Sequence, residues 1–502
     1  MAQQIADPST SPFELLDEQR RGFELCWSRV QGALDNTNPA VGKTVIIIEG
    51  PPGSGKSVLA ARLWAALINA HVGERGVVLT TTSSSQRSNW EHLFQKAARD
   101  VAGRGVVMPA NLYAPESIVW VGKHNKRNGP LDVDQWRENT RRCQQLEGRL
   151  RCPDDSFDVS IVDEAHALIN PEHAYARIGP TGWPSAFGPQ AFHIIRSSRI
   201  SIFLLDSEQS FRDRETTTRD DISKWAAELG ASMPPPISLA GQQFRAAGSA
   251  EYMDWLESCL GIRTEQATRN WRTPTPAPDS GGAIAEATAS YTQTSAPGTI
   301  GRAMVFEIVD DPATLEQVLR LRIKEGHSAR LVAAYGRPWK TKKARDPHAL
   351  QPDERDFEIH FNRDGVIQQW SKIWNSGGGE DYTLFVQAPP GSKMHDDPLC
   401  EVGCPYVVRG FDYGYLGVLW LKDLIYRDGR WTFDLSHIHE SGLIQTKAAA
   451  KREKHGDGPA SLELLHRLQQ IYRILLSRAL RGVYVWFEDE ETRSHVSSLL
   501  PR

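Results

Sequence analysis

The sequence predicts an α/β protein of two units, each built on a mostly parallel sheet. A glycine-rich loop, Gly50–Ser57, lies between a β-branched run and an apolar helical run. Short apolar runs then alternate with helical patterns as far as Leu205, and a second alternating stretch occupies the C-terminal part of the chain. Strands that are apolar throughout and separated by helices belong to sheets covered on both faces.

Apolar residues at helical spacing over 13–34 predict a helix ahead of the first strand. Thr44–Glu49 reads as a buried strand and Val58–Leu67 as a helix. Gly76–Thr82, Ser117–Gly122, Phe157–Val162 and Arg199–Leu205 read as further strands, with helices at Asn89–Val101 and about Val133–Leu150. Met233-Pro234-Pro235-Pro236 marks a boundary, which gives units at 1–232 and 233–502. Residues 264–300 are rich in Thr, Pro, Ala, Gly and Ser and read as a flexible insertion. The second unit is expected to carry a helix near Pro312–Glu325 and strands at Ala329–Ala334, Tyr382–Val386 and Tyr415–Leu421. A helix at Ser461–Ala479, a strand at Gly482–Phe487 and a terminal helix complete it, and 338–365 reads as polar loop.

Composition is that of an ordinary soluble chain, with 40% hydrophobic and 24% charged residues. The net charge of -4 means that any nucleic-acid surface is a local patch, not a global basic field. The polar N-terminus and the lack of a long apolar run predict a cytoplasmic protein with no membrane span. The six cysteines do not have zinc-ribbon spacing and read as separate reduced thiols.

The loop Gly50-Pro51-Pro52-Gly53-Ser54-Gly55-Lys56-Ser57 fits G-x-x-x-x-G-K-[ST] in its required strand-to-helix setting. The glycines let backbone N–H groups converge on phosphate oxygens, and the helix N-terminus adds partial positive charge. Lys56 is then the ligand of the β/γ-phosphates and Ser57 a Mg²⁺ ligand. The strand ending at Val162 delivers Asp163-Glu164-Ala165-His166. Asp163 is expected to hold Mg²⁺ and Glu164 to polarise the attacking water. His166 either couples the nucleotide to the second unit or caps locally. Gln19 offers the donor and acceptor that an adenine edge matches, or it is a solvated helix residue. Asp206-Ser207-Glu208-Gln209 places polar groups at a strand end, where the γ-phosphate can be sensed. Arg245, Arg409 and Arg478 stand in isolated contexts from which an arginine could reach transition-state charge.

Basic residues cluster at Lys123–Arg127, Arg337–Arg345 and Lys447–His455, and Trp339 in the second cluster could stack on a base. Thr80–Ser83 could bond a strand backbone, or simply end a β-strand.

Glutamine, P-loop, Asp-Glu, Asp-x-x-Gln, Phe-Arg, Gly-Phe-Asp and Ser-Arg-Ala follow one another in the order of the superfamily 1 helicase motifs. More narrowly, the chain resembles the Schlafen-type DNA/RNA helicase domain family over about residues 13–500. The most specific part is Gln242–Leu256, joined by Ala329–Trp339, Val408–Val418 and Tyr472–Val483. The resemblance implies two RecA-like P-loop lobes with ATP in the cleft between them. It makes Gln19 the adenine reader, Gln209 the γ-phosphate sensor, and Arg245 and Arg478 the arginines of the second lobe. Gly410 and Asp412 resemble the motif that contacts nucleotide and strand. Asp412 stands where Glu is expected and Ser477 where Thr is common, and both trim a side chain. The implied activity is an ATP- and Mg²⁺-dependent helicase or translocase on single-stranded DNA or RNA, in a setting such as phage defence or DNA repair. A nuclease or defence-system protein would be its partner. An ATP-binding switch that translocates nothing is the alternative, and a small-molecule phosphotransferase accounts for fewer of the motifs.

Overall fold

The computed structural model describes residues 15, 17–35, 43–51, 53–70, 75–82, 87, 90, 105–114, 136–138, 140–141, 152–172, 188–206, 210, 212–213, 215, 217–239, 250–263, 271, 304–375, 388, 390–408, 412–453 and 456–501. The described residues divide into two compact α/β units, one up to Leu239 and the other from Ala250 onward.

The first unit contains α1 (Asp17–Asp35), β1 (Thr44–Glu49), α2 (Lys56–Asn69), β2 (Val77–Thr81), β3 (Gly105–Pro109) and β4 (Phe157–Val162). They are followed by α3 (Gln190–Ser197), β5 (Ser198–Leu205), α4 (Arg219–Glu228) and β6 (Ile237–Ser238). Its sheet has the order β3-β2-β4-β5-β1-β6, and every pairing is parallel. β5 is thus inserted between the glycine-loop strand and the Asp-Glu strand. The boundary falls beyond 232 because β6 pairs with the end of β1, Ile48 to Ile237 and Glu49 to Ser238.

β1 shows why its sequence is apolar at every position. Ile46 and Ile48 enter the layer that Val30, Leu59, Leu63 and Leu67 supply from α1 and α2. Val45 and Ile47 enter the opposite layer with Ile194, Phe203 and Trp225. Alternate residues of a strand face opposite sides, so a doubly covered strand reads as one continuous apolar run.

The second unit holds α5 (Ala250–Cys259), β7 (Val305–Val309), α6 (Pro312–Lys324), β8 (Ala329–Ala333), β9 (Phe357–Arg363), β10 (Val366–Trp374) and β11 (Glu401–Gly403). β12 (Tyr413–Trp420), β13 (Leu424–Arg427), β14 (Arg430–Phe433), α7 (Pro459–Ser477), β15 (Ala479–Phe487) and α8 (Glu490–Leu499) follow. The sheet order is β7-β15-β12-β8-β11-β10-β9, parallel except for the β9–β10 hairpin. Among the described residues no helix is long and apolar enough to cross a membrane.

Several elements differ from the sequence reading. The strands expected at 117–122 and 382–386 and, apart from Trp271, the insertion expected at 264–300 lie outside the described residues. Part of 338–365, expected to be loop, is the edge strand β9, whose Phe357, Ile359 and Phe361 alternate with polar residues and whose signal is confined to this short stretch of a polar region. β7 is likewise a partly exposed edge strand, and β11 is too short to announce itself.

Gly188 precedes α3 with φ +90, and a Cβ there would come within 2.4 Å of the Trp136 ring. That ring is fully buried against Phe192 and Trp225. Gly188→Ala is expected to cost about 1–3 kcal/mol through backbone strain and overpacking, read as a lower urea midpoint in tryptophan fluorescence.

Candidate functional site

Parallel strands end at the same edge of a sheet, and three ends meet here. The register pairs Glu49 with Leu205 and Val162 with Phe203. Gly50, Asp206 and Asp163, the residues that follow β1, β5 and β4, therefore emerge side by side. This carboxyl edge is where open α/β sheets place their ligands.

The loop leaves β1 at Gly50, where a Cβ would meet Ser54 Oγ at 2.4 Å. Gly53 and Gly55 have φ of 83 and 81, and Gly55 is the N-cap residue just before α2. Such angles are open to glycine at little cost, which accounts for the two positions in the pattern. Lys56 opens α2 and folds back over the loop. Its Nζ donates to Gly50 O at 2.6 Å and Pro51 O at 3.0 Å, and stands 3.5 Å from Asp206 Oδ2. Both side chains of this ion pair are buried, with 8% and 3% exposure.

Ser57 Oγ donates to Asp163 Oδ1 at 3.1 Å, and the Glu164 N–H donates to the same oxygen at 3.0 Å. The buried Asp163 carboxyl is pushed up from 3.8 to about 7. Burial is the main cause and repulsion by Glu164 the second, partly offset by Ser57 and Lys56. Glu164 adopts the left-handed conformation, φ 54 and ψ 47. For a residue with a Cβ this costs on the order of 1 kcal/mol and is typical of functional positions. His166 is fully buried, and its Nε2 lies 3.1 Å from Glu164 Oε2. The histidine thus lies against the glutamate within the same short turn.

A hydroxyl and a carboxylate oxygen side by side form a hard-oxygen donor pair suited to Mg²⁺. The raised Asp163 pKa fits that assignment, since a nearby dication would remove the penalty on two adjacent carboxylates.

Gln19, on α1, is buried and donates from Nε2 to Ser54 O at 2.9 Å. Its amide is therefore fastened to the loop backbone and is not a solvated helix residue. Asp206, which the sequence reading passed over in favour of Gln209, is the residue in reach of Lys56. The signal for it was an acidic residue at the end of an apolar strand. Pro52, Gln209, Arg245 and Gly410 lie outside the described residues. Arg478 is 1% exposed and caps the end of α7, its carbonyl accepting from Tyr413 N at 3.1 Å. Asp412 is half-buried just before β12.

Thr80 does not lend its hydroxyl to a strand-binding edge. The side chain is buried and bonds Tyr113 Oη at 2.7 Å, which continues to Ser160 Oγ at 2.8 Å. In the Arg337–Arg345 cluster, Arg337 is bonded to Glu488 at 2.5 Å. Lys340, Lys342, Lys343 and Arg345 are exposed, and the Lys342 ammonium lies 5.4 Å from the centre of the half-buried Trp339 ring. Lys447 is drawn inward to Ile438 O at 2.6 Å. The Lys123–Arg127 cluster is outside the described residues.

Asp163 in the folded chain keeps its proton to about pH 7, whereas unfolded it would lose it near 3.8. Its contribution to stability is thus fully present below 3.8 and is lost as pH rises through about 7. Asp163→Asn is expected to stabilise the chelator-treated protein at about pH 8 by roughly 1 kcal/mol or more, with the gain shrinking by about pH 5. Thermal midpoints at the two pH values check this.

An uncharacterized protein of Saccharomyces cerevisiae, YPL245W, is 20% identical over 345 residues, 68% of this chain. The chain spans 64% of that relative's length. Among solved structures, S. cerevisiae Dbp5 bound to RNA and ADP BeF3 aligns over 97% of this chain and 90% of its own, at 11% identity and a TM-score of 0.29. The family model for the Schlafen group 3, DNA/RNA helicase domain matches residues 43–489, from the start of β1 to the start of α8. The chain belongs to the Schlafen group 3 DNA/RNA helicase domain family.

Proposed function

We propose that this chain is an ATP hydrolase that uses Mg²⁺ and moves on or remodels single-stranded DNA or RNA. The observation that carries the reading is the convergence of Lys56, Ser57, Asp163, Glu164 and Asp206 on one sheet edge. The Lys56 ammonium would exchange the Gly50 and Pro51 carbonyls for β- and γ-phosphate oxygens. The loop N–H groups and the start of α2 would add positive potential to the same oxygens. Ser57 and Asp163 would hold Mg²⁺, which supplies charge neutralisation on the phosphates. Glu164, steadied by His166, would orient the attacking water and accept its proton. Gln19 would sit beside the base through its hold on the loop. Gln209, Arg245, Arg478, Gly410 and Asp412 enter this reading through the family motifs. Cytoplasmic action alongside a nuclease or defence-system partner is part of the same proposal.

An ATP-binding switch without unwinding is a second reading, favoured by one contact. Ser477 Oγ donates to Ile474 O at 3.3 Å, so the hydroxyl at a motif position is turned onto its own helix.

The test is the ATPase rate with and without single-stranded DNA and RNA oligonucleotides at low and high salt. Stimulation by a strand is expected, weaker at high salt because phosphate contacts release counterions. Lys56→Ala is expected to lower the rate about 100-fold or more, and Glu164→Gln by about 10²–10⁴ with ATP still bound. No hydrolysis under any of these conditions, with nucleotide binding indifferent to Lys56→Ala, sinks the proposal. Hydrolysis without strand displacement or translocation selects the switch.

A further inference from the structure

We propose that His348, Cys400 and Glu401 of the second unit form a zinc site. One ligand atom from each lies within 4.8 Å of the other two. His348 and Glu401 are 53 positions apart in sequence, and the fold closes that distance. His348 Nε2 stands 2.8 Å from Glu401 Oε1.

The histidine and the adjacent Cys400–Glu401 pair are held by separate backbone contacts. His348 sits in the short turn Pro347–Ala349, where its N–H donates to Asp346 Oδ1 at 3.2 Å and its carbonyl accepts from Arg355 at 3.3 Å. The Cys400 N–H donates to Asp397 O at 3.1 Å. Glu401 opens β11 opposite Ile373 of β10. Donors on separately fixed backbone are what a metal site needs for geometry to precede binding.

The donor set selects the ion. Nitrogen, sulfur and oxygen together suit zinc, whereas Mg²⁺ and Ca²⁺ take oxygen alone and Cu⁺ prefers sulfur. In a tetrahedral zinc site neighbouring ligand atoms stand about 3.3–3.7 Å apart, which small side-chain rotations reach from the present spacing. Three protein ligands leave a fourth position for water. Glu401 is buried, while His348 and Cys400 are half-buried, so the ion has a way in. On binding, the Cys400 S–H bond breaks, the proton goes to solvent and a Zn–S bond forms. Thiolate and carboxylate then balance the dication. The thiol is pushed up to about 12, by burial first and then by Glu401 and Asp397, so the cation is what brings it to the thiolate. Lys372, which favours the thiolate, is itself held on Glu316 Oε1 at 3.0 Å. A bound ion would tie the turn after β8 to the start of β11.

The full chain, dialysed against metal-free buffer after zinc loading, is expected to retain about one zinc per chain, the same in Lys56→Ala. Cys400→Ser and His348→Ala are each expected to retain less than about a tenth of that. Cobalt loading of the wild-type chain is expected to give a thiolate-to-cobalt charge-transfer band, absent from Cys400→Ser. The wild-type spectrum decides the matter even where a variant does not fold. No retained zinc and no such band would mean that His348 and Glu401 share a plain hydrogen bond, and the proposal falls. Full zinc retention by Cys400→Ser overturns it equally.

Discussion

A buried lysine ammonium must be met by negative or carbonyl oxygens, and the first unit is arranged around meeting that need. Removing such a charge from water costs several kcal/mol unless it is closely partnered. Lys56 finds Gly50 and Pro51 carbonyls because the loop turns back on itself at Gly53 and Gly55. It finds Asp206 because β5 is inserted beside β1 in parallel register. Two neighbouring carboxylates, Asp163 and Glu164, come from β4 on the far side of β5. The site is thus a cation and three carboxyl groups, one of them holding a proton to about pH 7, in one low-dielectric edge poised for redistribution of charge when a polyanion and its metal enter.

The strain in that arrangement is local. Glu164 occupies a left-handed conformation, and a fully buried histidine lies against its carboxylate. Asp163 retains a proton that an exposed aspartate would lose. Such costs are tolerated because the surrounding sheet is packed on both faces, with Val45 and Ile47 in one layer and Ile46 and Ile48 in the other. Stability comes from the strands, and the unfavourable conformations are confined to the turns at their ends.

In the second unit, several arginines are fixed by carboxylates from distant elements. Arg473 is clamped by Glu257 at 2.6 Å in the interior, and Arg337 by Glu488. Arg363 ties the β9 edge strand to Asp311 at the start of α6. Arg478 lies only five positions along from Arg473, at the end of the same helix. A one-dimensional pattern does not distinguish a structural guanidinium from a functional one, because the partner carboxylate is supplied by a distant element.

By itself, the sequence determined the features that depend on neighbours in the chain. The glycine loop, its flanking strand and helix, and the Asp-Glu pair at the end of an apolar strand were legible because backbone angles and short periodicities are local properties. The α/β class followed from the same alternation. β7 was not legible, since its side chains do not alternate cleanly between core and water, whereas β9 alternates, with Phe357 and Ile359 buried, but lies within a polar stretch that reads as loop. Only the tertiary structure decided that Asp206 faces Lys56, that Gln19 is fastened to the loop, that Thr80 belongs to a buried hydroxyl chain, and that His348 meets Glu401. Those are contacts between residues 33 to 150 positions apart. Strand order and register bring them together, and no local stretch of sequence specifies either.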